Sequence, residues 1–400
     1  MKIRIASILG VSYIPLLFAA CGAYVNSEPA IKSTTSGVRS QETLQAQVLR
    51  GRQVVLTSDC SACHGGATNA ASPEWLSGAR QPDDVFPIGP FKTFSRNLTP
   101  DSVTGLGAVS ERQIYNALRY GLKPKLTPDI EITSMTPGTG NHPMQPKYLA
   151  PSMPWGTWRH MSDGDLRAIA AYLKHGLNPV RNAVTESESP PDSWASESTL
   201  DKLGPLPAPA FPTVNEVGSV AGDPRVARGR VLIVEKACSG CHGGGSNTDK
   251  PGFLAGVMDP AQEFVIGPFK TRPRNLTPDN TTGLGRFSER QIFNALRFGL
   301  RPGETPDVII TSTTPGQGNH PSNPKYLAPP MPWPSWRHMP DEDLWAIAAY
   351  LKRGLKPVKN VVADSEGPPD FWASAYDPSI IGPYPAPAFP TANERAWVKK

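Results

Sequence analysis

Two short segments carry thiols and an imidazole at fixed spacing: Cys60-Ser-Ala-Cys63-His64 and Cys238-Ser-Gly-Cys241-His242. Two thiols three residues apart lie on one side of a helical turn, and the next residue places an imidazole beside them. Three chemistries use such a pair. A redox dithiol needs a strand before it and no obligatory histidine. A zinc site needs both pairs on one ion, but these pairs lie 178 residues apart in separate copies of a repeat. Cys-x-x-Cys-His is the attachment pattern for a c-type haem. The thiols form thioethers with the two vinyl groups of one porphyrin, and the histidine lies under the iron. The spacing therefore predicts two covalently bound haem c groups. Cys60, Cys63, Cys238 and Cys241 would be the attachment points, with His64 and His242 as iron ligands.

The same 178-residue offset holds well beyond the cysteines. It carries Asn97-Leu-Thr-Pro-Asp101 onto Asn275-Leu-Thr-Pro-Asp279, and Met153-Pro-Trp155 onto Met331-Pro-Trp333. Trp194 maps onto Trp372, and Ala208-Pro-Ala-Phe211 onto Ala386-Pro-Ala-Phe389. One large unit is written twice. A sixth iron ligand required in both units should occur in both. Met135, Met144 and Met258 fail this test, since they face Thr313, Ser322 and Arg80. Met153 and Met331 pass, each followed by a proline that stiffens the loop, and they are the expected sixth ligands. A Met ligand raises the reduction potential relative to a second His. His142 and His320, in Gly-rich loops, are the competing pair. Met161 and Met339 read as packing residues at a helix start, and His160 and His338 as surface or propionate-side residues.

Three helices per unit must position these groups. Leu44, Val48, Gly51 and Val55 share one face of a helix leading into the first cysteine pair, matched by Val226, Gly229 and Ile233. Gly inside a helix costs roughly 1 kcal/mol against Ala, so a repeated Gly on the apolar face implies a second backbone passing close by. Ser110-Glu-Arg-Gln113 and Ser288-Glu-Arg-Gln291 are capping boxes that start a second helix, closed by Gly121 and Gly299. Leu166, Ile169, Ala170 and Leu173 form the stripe of a third, matched by Leu344, Ile347, Ala348 and Leu351. Ser162 caps the third helix in the first copy and Pro340 starts it in the second. No alternating strand stands out. Residues 22–42 read as a flexible leader, 43–216 as the first domain and 223–400 as the second. The Pro-rich tails at 176–216 and 354–394 carry Trp and Phe at matched places, so each is expected to wrap its own domain.

In this order of elements the unit resembles a class I cytochrome c domain. The attachment motif ends the first helix, and Met153-Pro-Trp precedes a last helix ending Ala-Ile-Ala-Ala-Tyr172-Leu173. With the Asn-Leu-Thr-Pro-Asp and Thr-Gly-Leu-Gly blocks, the chain is similar to cytochrome c subunits of membrane-bound alcohol, gluconate and sorbitol dehydrogenases. It departs from them in carrying two haem motifs rather than three, and in its long tails. The resemblance implies a mainly α fold of two tandem class I domains with long Pro-rich loops. It implies that Gly51 and Gly229 face Tyr172 and Tyr350 where the first and last helices cross. It also implies that a proline carbonyl, here Pro90 or Pro268, accepts the proximal histidine's proton; otherwise those prolines simply shape a turn.

Lys2 and Arg4 precede an apolar run over residues 5–20, the size of a signal segment and too short to span a bilayer comfortably. Small residues before Cys21 look like a lipoprotein processing site, although Phe18 stands where an aliphatic residue is usual. Residues 1–21 are thus expected to direct export to the periplasm or cell envelope, with Cys21 as the lipid attachment point on the membrane. Formal net charge is +5 with scattered basic residues, which gives no stripe for nucleic acid. With His and Met on each iron, no position is open to substrate. The expected role is single-electron carriage from a periplasmic dehydrogenase to a membrane oxidase or another cytochrome. The rival is a di-haem enzyme such as a thiosulfate dehydrogenase or a peroxidase.

Overall fold

The computed structural model describes residues 43–66, 68–80, 84–245, 247–259 and 262–396, together with the backbone of Ile3–Ile5. Cys21 and the leader lie outside the described residues. Each unit opens with a helix, Leu44–Thr57 or Pro224–Glu235. Val48, Gly51 and Val55 of the first, and Val226, Gly229 and Ile233 of the second, are buried as their spacing predicts, whereas Leu44, at the helix start, is exposed. The Cys60–His64 and Cys238–His242 turns follow. Next come the capped helices Glu111–Tyr120 and Glu289–Phe298, and then the short Trp155–Trp158 and Trp333–Trp336 helices. Each unit closes with Asp163–Ala171 or Asp341–Ala349, continued by a π-helical turn, Tyr172–Gly176 or Tyr350–Gly354.

Both capping boxes form: the Gln113 and Gln291 amides donate to the Ser110 and Ser288 hydroxyls at 3.1 Å. Gly121 and Gly299 end these helices at φ +71°. Leading and closing helices cross at Gly51 and Gly229, where a Cβ would run into the carbonyls of Ala168 and Ala346 and crowd Tyr172 and Tyr350. The close backbone approach predicted from the paired glycines is present in both units.

One feature is added to the expected picture. Val85–Ile88 pairs antiparallel with Phe91–Phe94, and Phe264–Ile266 with Phe269–Thr271. Gly89 (φ +57°) or Gly267 (φ +60°) opens each turn, with Pro90 or Pro268 next; glycine suits the first central position of a tight hairpin. Ile3–Ile5 adds a third antiparallel strand beside Phe264–Ile266.

The tails correct the expectation that each wraps its own domain. The early parts do: Trp194 is buried in the first domain beside Phe91, and Trp372 in the second beside Phe269. The last parts cross over. Phe211 packs on the core of the second domain, and Phe389 on that of the first. Glu216 bridges to Leu355, and Leu177 to Glu394. Each crossing tail ends in the same buried triad. Glu394 accepts from Arg52 at 2.7 Å and from the Tyr172 hydroxyl at 2.6 Å. Glu216 accepts from Arg230 at 2.6 Å and from Tyr350 at 2.7 Å. These carboxylates neutralise arginines on the face of the opposite domain's leading helix, and burial without such partners would be costly.

Candidate haem site

Each leading helix ends one residue or so before a sharp reversal. Asp59 and Ala237 both sit at φ +57°, a left-handed conformation uncommon for residues with a side chain. The reversal starts the next helical turn at once and brings Cys60, Cys63 and His64, or Cys238, Cys241 and His242, onto a single turn. The four cysteines are unbridged. Burial pushes the Cys60 and Cys238 thiols up to about 12. These are neutral thiols, unlike the low-pKa thiolates of a redox dithiol.

The histidines are held alike. His64 Nδ1 lies 2.7 Å from the Arg96 carbonyl and His242 Nδ1 2.7 Å from that of Arg274. Because a carbonyl can only accept, Nδ1 carries the proton and Nε2 keeps its lone pair. Burial lowers both histidines below their ordinary value, favouring the neutral ring that can bind a metal. The accepting carbonyls replace the expected Pro90 and Pro268, which sit in the hairpin turns. They belong to the segment just before Asn97-Leu-Thr-Pro-Asp101 and its twin. Asn97 and Asn275 fix that segment by donating to the Val180 and Val358 carbonyls at 2.8 and 2.7 Å.

Met153 is half-buried against the hydrophobic cluster that Cys60 also borders, and Met331 against the one containing Cys238. Met161 and Met339 are buried in those cores, the packing role read for them. His142 lies elsewhere. It is 3% exposed, with Nδ1 3.1 Å from the Ser134 carbonyl, and its ring sits 6.0 Å from Tyr120 and 6.3 Å from Tyr148. Those rings belong to a separate cluster around Trp155 and Trp194. His320 is similarly enclosed by Phe298 and Tyr326. His160 and His338 are not surface residues. Each is half-buried, and burial followed by neighbouring arginines lowers His160 to about 4 and His338 to about 3. Arg230 of the opposite unit is among the charges acting on His160, and Arg52 among those acting on His338.

The cytochrome c profile matches residues 48–176 and again 226–354. The chain belongs to the cytochrome c family. Its relatives include the cytochrome c subunit of gluconate 2-dehydrogenase from Pantoea cypripedii, 29% identical over 336 residues, covering 79% of this chain and 62% of that protein. The cytochrome c subunit of a quinone alcohol dehydrogenase from Gluconobacter oxydans is 28% identical over 332 residues, 78% of this chain and 56% of that one. This cytochrome thus spans less than two thirds of those dehydrogenase subunits. A di-haem c-type cytochrome from Cereibacter sphaeroides is 25% identical over 321 residues, with 78% and 86% covered. Cytochrome c domains carry covalent haem c, and the residues here fit it. Each unit has two unbridged thiols on one turn, a neutral imidazole with a free Nε2 lone pair, and a thioether bordering the same core.

The attachment turns were legible in these motifs; how they meet was not. The attachment turns share one domain interface. Lys236, two residues before Cys238, donates to the hydroxyls of Thr57 and Ser58 just before Cys60, both at 3.1 Å. Asp59, adjacent to Cys60, accepts from Ser335 at 2.5 Å, and Ser335 lies four residues after Met331. The repeat could have pointed to this only through its departures, since Asp59 and Ser335 face Ala237 and Thr157 in the other copy.

Proposed function

We propose that this cytochrome is a di-haem electron carrier of the cell envelope. One haem would be attached to Cys60 and Cys63 with His64 and Met153 on its iron, the other to Cys238 and Cys241 with His242 and Met331. A bound haem with two protein ligands supplies a one-electron couple with no open coordination position. The protein's own part is to keep each histidine neutral and oriented, to seat each methionine at its core, and to hold the two attachment turns at one interface. The observation carrying this reading is the doubled turn of two thiols and a histidine whose Nδ1 is fixed by a backbone carbonyl. Clamping the turns together through Lys236 and Asp59 suits electron passage between the haems. The dehydrogenase relatives support a dehydrogenase as donor; with export, that donor would be periplasmic, and the acceptor would be a membrane oxidase or another cytochrome. Export would follow from residues 1–21, with Cys21 as lipid anchor. Processing there would remove Ile3–Ile5 and leave a two-stranded hairpin in the second domain, like that in the first.

Acid–acetone extraction should leave the colour on the protein, and its mass should exceed the processed chain by two haems. Both oxidised haems should show the weak near-infrared sulfur-to-iron band. Met153→Ala should remove one share of that band, open that iron to carbon monoxide and leave both haems attached. Extractable haem would overturn the attachment assignment. Opening of that iron by His142→Ala and not by Met153→Ala would overturn the methionine assignment, and rapid turnover of peroxide or thiosulfate would replace the carrier with a di-haem enzyme.

A further inference from the structure

The two units differ just before their attachment turns. Thr57-Ser58-Asp59 precedes Cys60, and Glu235-Lys236-Ala237 precedes Cys238. Asp59 and Ala237 occupy the same left-handed position at φ +57°, so one backbone site carries a carboxylate in the first unit and a methyl group in the second. The carboxylate accepts from the Ser335 hydroxyl of the second unit at 2.5 Å, and among the described residues no cation pairs with it. Its charge acts on both attachment thiols of the first turn, Cys60 and Cys63. Among the described residues no carboxylate acts on Cys238 or Cys241.

Lys236 does not cancel this difference. Its ammonium donates to Thr57 and Ser58, yet it acts on Cys60 and Cys238 alike and so is shared by the two turns. The remaining neighbours of the carboxylate are accounted for. Arg337, two residues after Ser335, turns to the carbonyls of Ile381 and Gly382, and His338 is held neutral by burial and by nearby arginines. Glu235 sits among Lys236, Arg228, Asp165 and Asp343. The Cys60 and Cys63 thiols become thioethers on haem attachment and then no longer titrate. The iron ligands give no reason for unequal potentials, since both proximal histidines make the same hydrogen bond at 2.7 Å and both methionines precede Pro-Trp.

An electron arriving at an iron adds one negative charge. A carboxylate close by, in an interior that screens charge poorly, opposes that arrival and favours the oxidised form. We infer that Asp59 makes the two haems unequal, its carboxylate lowering the reduction potential of the first below that of the second, so that electrons enter at the first haem and leave from the second. The inference rests on the di-haem reading. The donor gives one electron to the first iron. That iron is then oxidised as the second is reduced, and no atom is transferred. Burial raises the Asp59 carboxyl to about 7, with the Ser335 hydrogen bond opposing, so the bias is fully developed on the alkaline side.

The test is potentiometry of the full two-haem protein between pH 5 and 9, after covalent haem has been counted by its pyridine haemochrome spectrum. The wave that Met153→Ala lowers is that of the first haem. In wild type at pH 9 this wave should lie below the other, and it should rise as pH falls through about 7 and Asp59 takes up a proton. Asp59→Asn should lift it at pH 9 by roughly tenfold in the redox equilibrium, or 59 mV for one electron, to its wild-type position at pH 5, and leave the second wave in place. Asparagine suits the left-handed backbone and can still accept from Ser335. Ser335→Ala removes the hydrogen bond that favours the ionised form, so the rise should begin at higher pH. Glu235→Gln, at the other carboxyl raised to about 7, should leave the first wave's pH profile unchanged. A first wave above the second at pH 9, an Asp59→Asn shift in the second wave or in neither, or loss of the slope through Glu235→Gln overturns the inference. Fewer than two covalent haems in wild type refutes the di-haem reading instead.

Discussion

Replacing Glu394 by alanine should destabilise the first domain, although Glu394 lies at the end of the second. Its carboxylate is completely buried, and the Arg52 side chain it pairs with is 12% exposed. The substitution leaves that guanidinium and the Tyr172 hydroxyl without their acceptor. Removing one partner of a buried pair typically costs about 3–5 kcal/mol. At about 1.4 kcal/mol per tenfold, amides that open with the first domain should exchange roughly a hundred- to a few-thousandfold faster. Hydrogen exchange read by mass spectrometry locates the change. Leu44–Thr57 and Asp163–Ala171 should lose protection, while Pro224–Glu235 and Asp341–Ala349 keep theirs. Glu216→Ala should produce the mirror image. If Glu394→Ala instead accelerates exchange in Pro224–Glu235 and spares Leu44–Thr57, the tails do not cross and the reasoning fails.

Gly51→Ala should lower stability by about 1–3 kcal/mol as the added methyl forces the leading and closing helices apart; a thermal midpoint equal to that of wild type would refute the close crossing. His160 and His338 give an acid-side slope. Each is held below its ordinary value, so from about pH 6.5 down to about 4 at His160 and about 3 at His338 the unfolded chain binds protons that the folded one refuses. Stability should fall as pH drops through that window and be unaffected above it, by at most roughly 3 kcal/mol for His160 and roughly 5 kcal/mol for His338. Denaturant titrations of the doubly substituted His160→Gln, His338→Gln protein should show the slope flattened. Cys21→Ser should release the protein into the soluble periplasmic fraction; wild type already soluble and starting beyond Cys21 would remove the lipid anchor.

The parts legible in the sequence are those whose partners lie a fixed distance away in the chain. Capping boxes, the helical stripes and the Cys-x-x-Cys-His turn are local patterns, and Gly51 betrayed a close crossing because a helical glycine has few other uses. The partner of His64 was hidden because it is the Arg96 backbone, which any residue could supply. The first hairpin was hidden because Pro87 interrupts a strand of four residues, and the second because its strands are only three residues long. The crossing of the tails was hidden for a different reason. Ala208-Pro-Ala-Phe211 and Ala386-Pro-Ala-Phe389 are identical, as are the triads they end in, so either tail fits either domain. Duplication makes contacts within and between units indistinguishable by residue type.

Strand exchange is usually a property of dimers, in which two chains trade an identical arm. Here both arms belong to a single polypeptide, and the trade explains why the join between halves is so short. By Glu216 the first arm already lies on the second half, beside Leu355 and Arg230, and the next leading helix begins at Pro224. Residues 217–222 therefore span no gap between domains; they tie an arm to the body it is already docked on. Cutting the backbone there should leave two fragments clasped by both arms. The chain has the layout of an arm-exchanged homodimer whose protomers are joined end to end, with the spacing between the two Cys-x-x-Cys-His turns fixed by the clasp rather than by the peptide link.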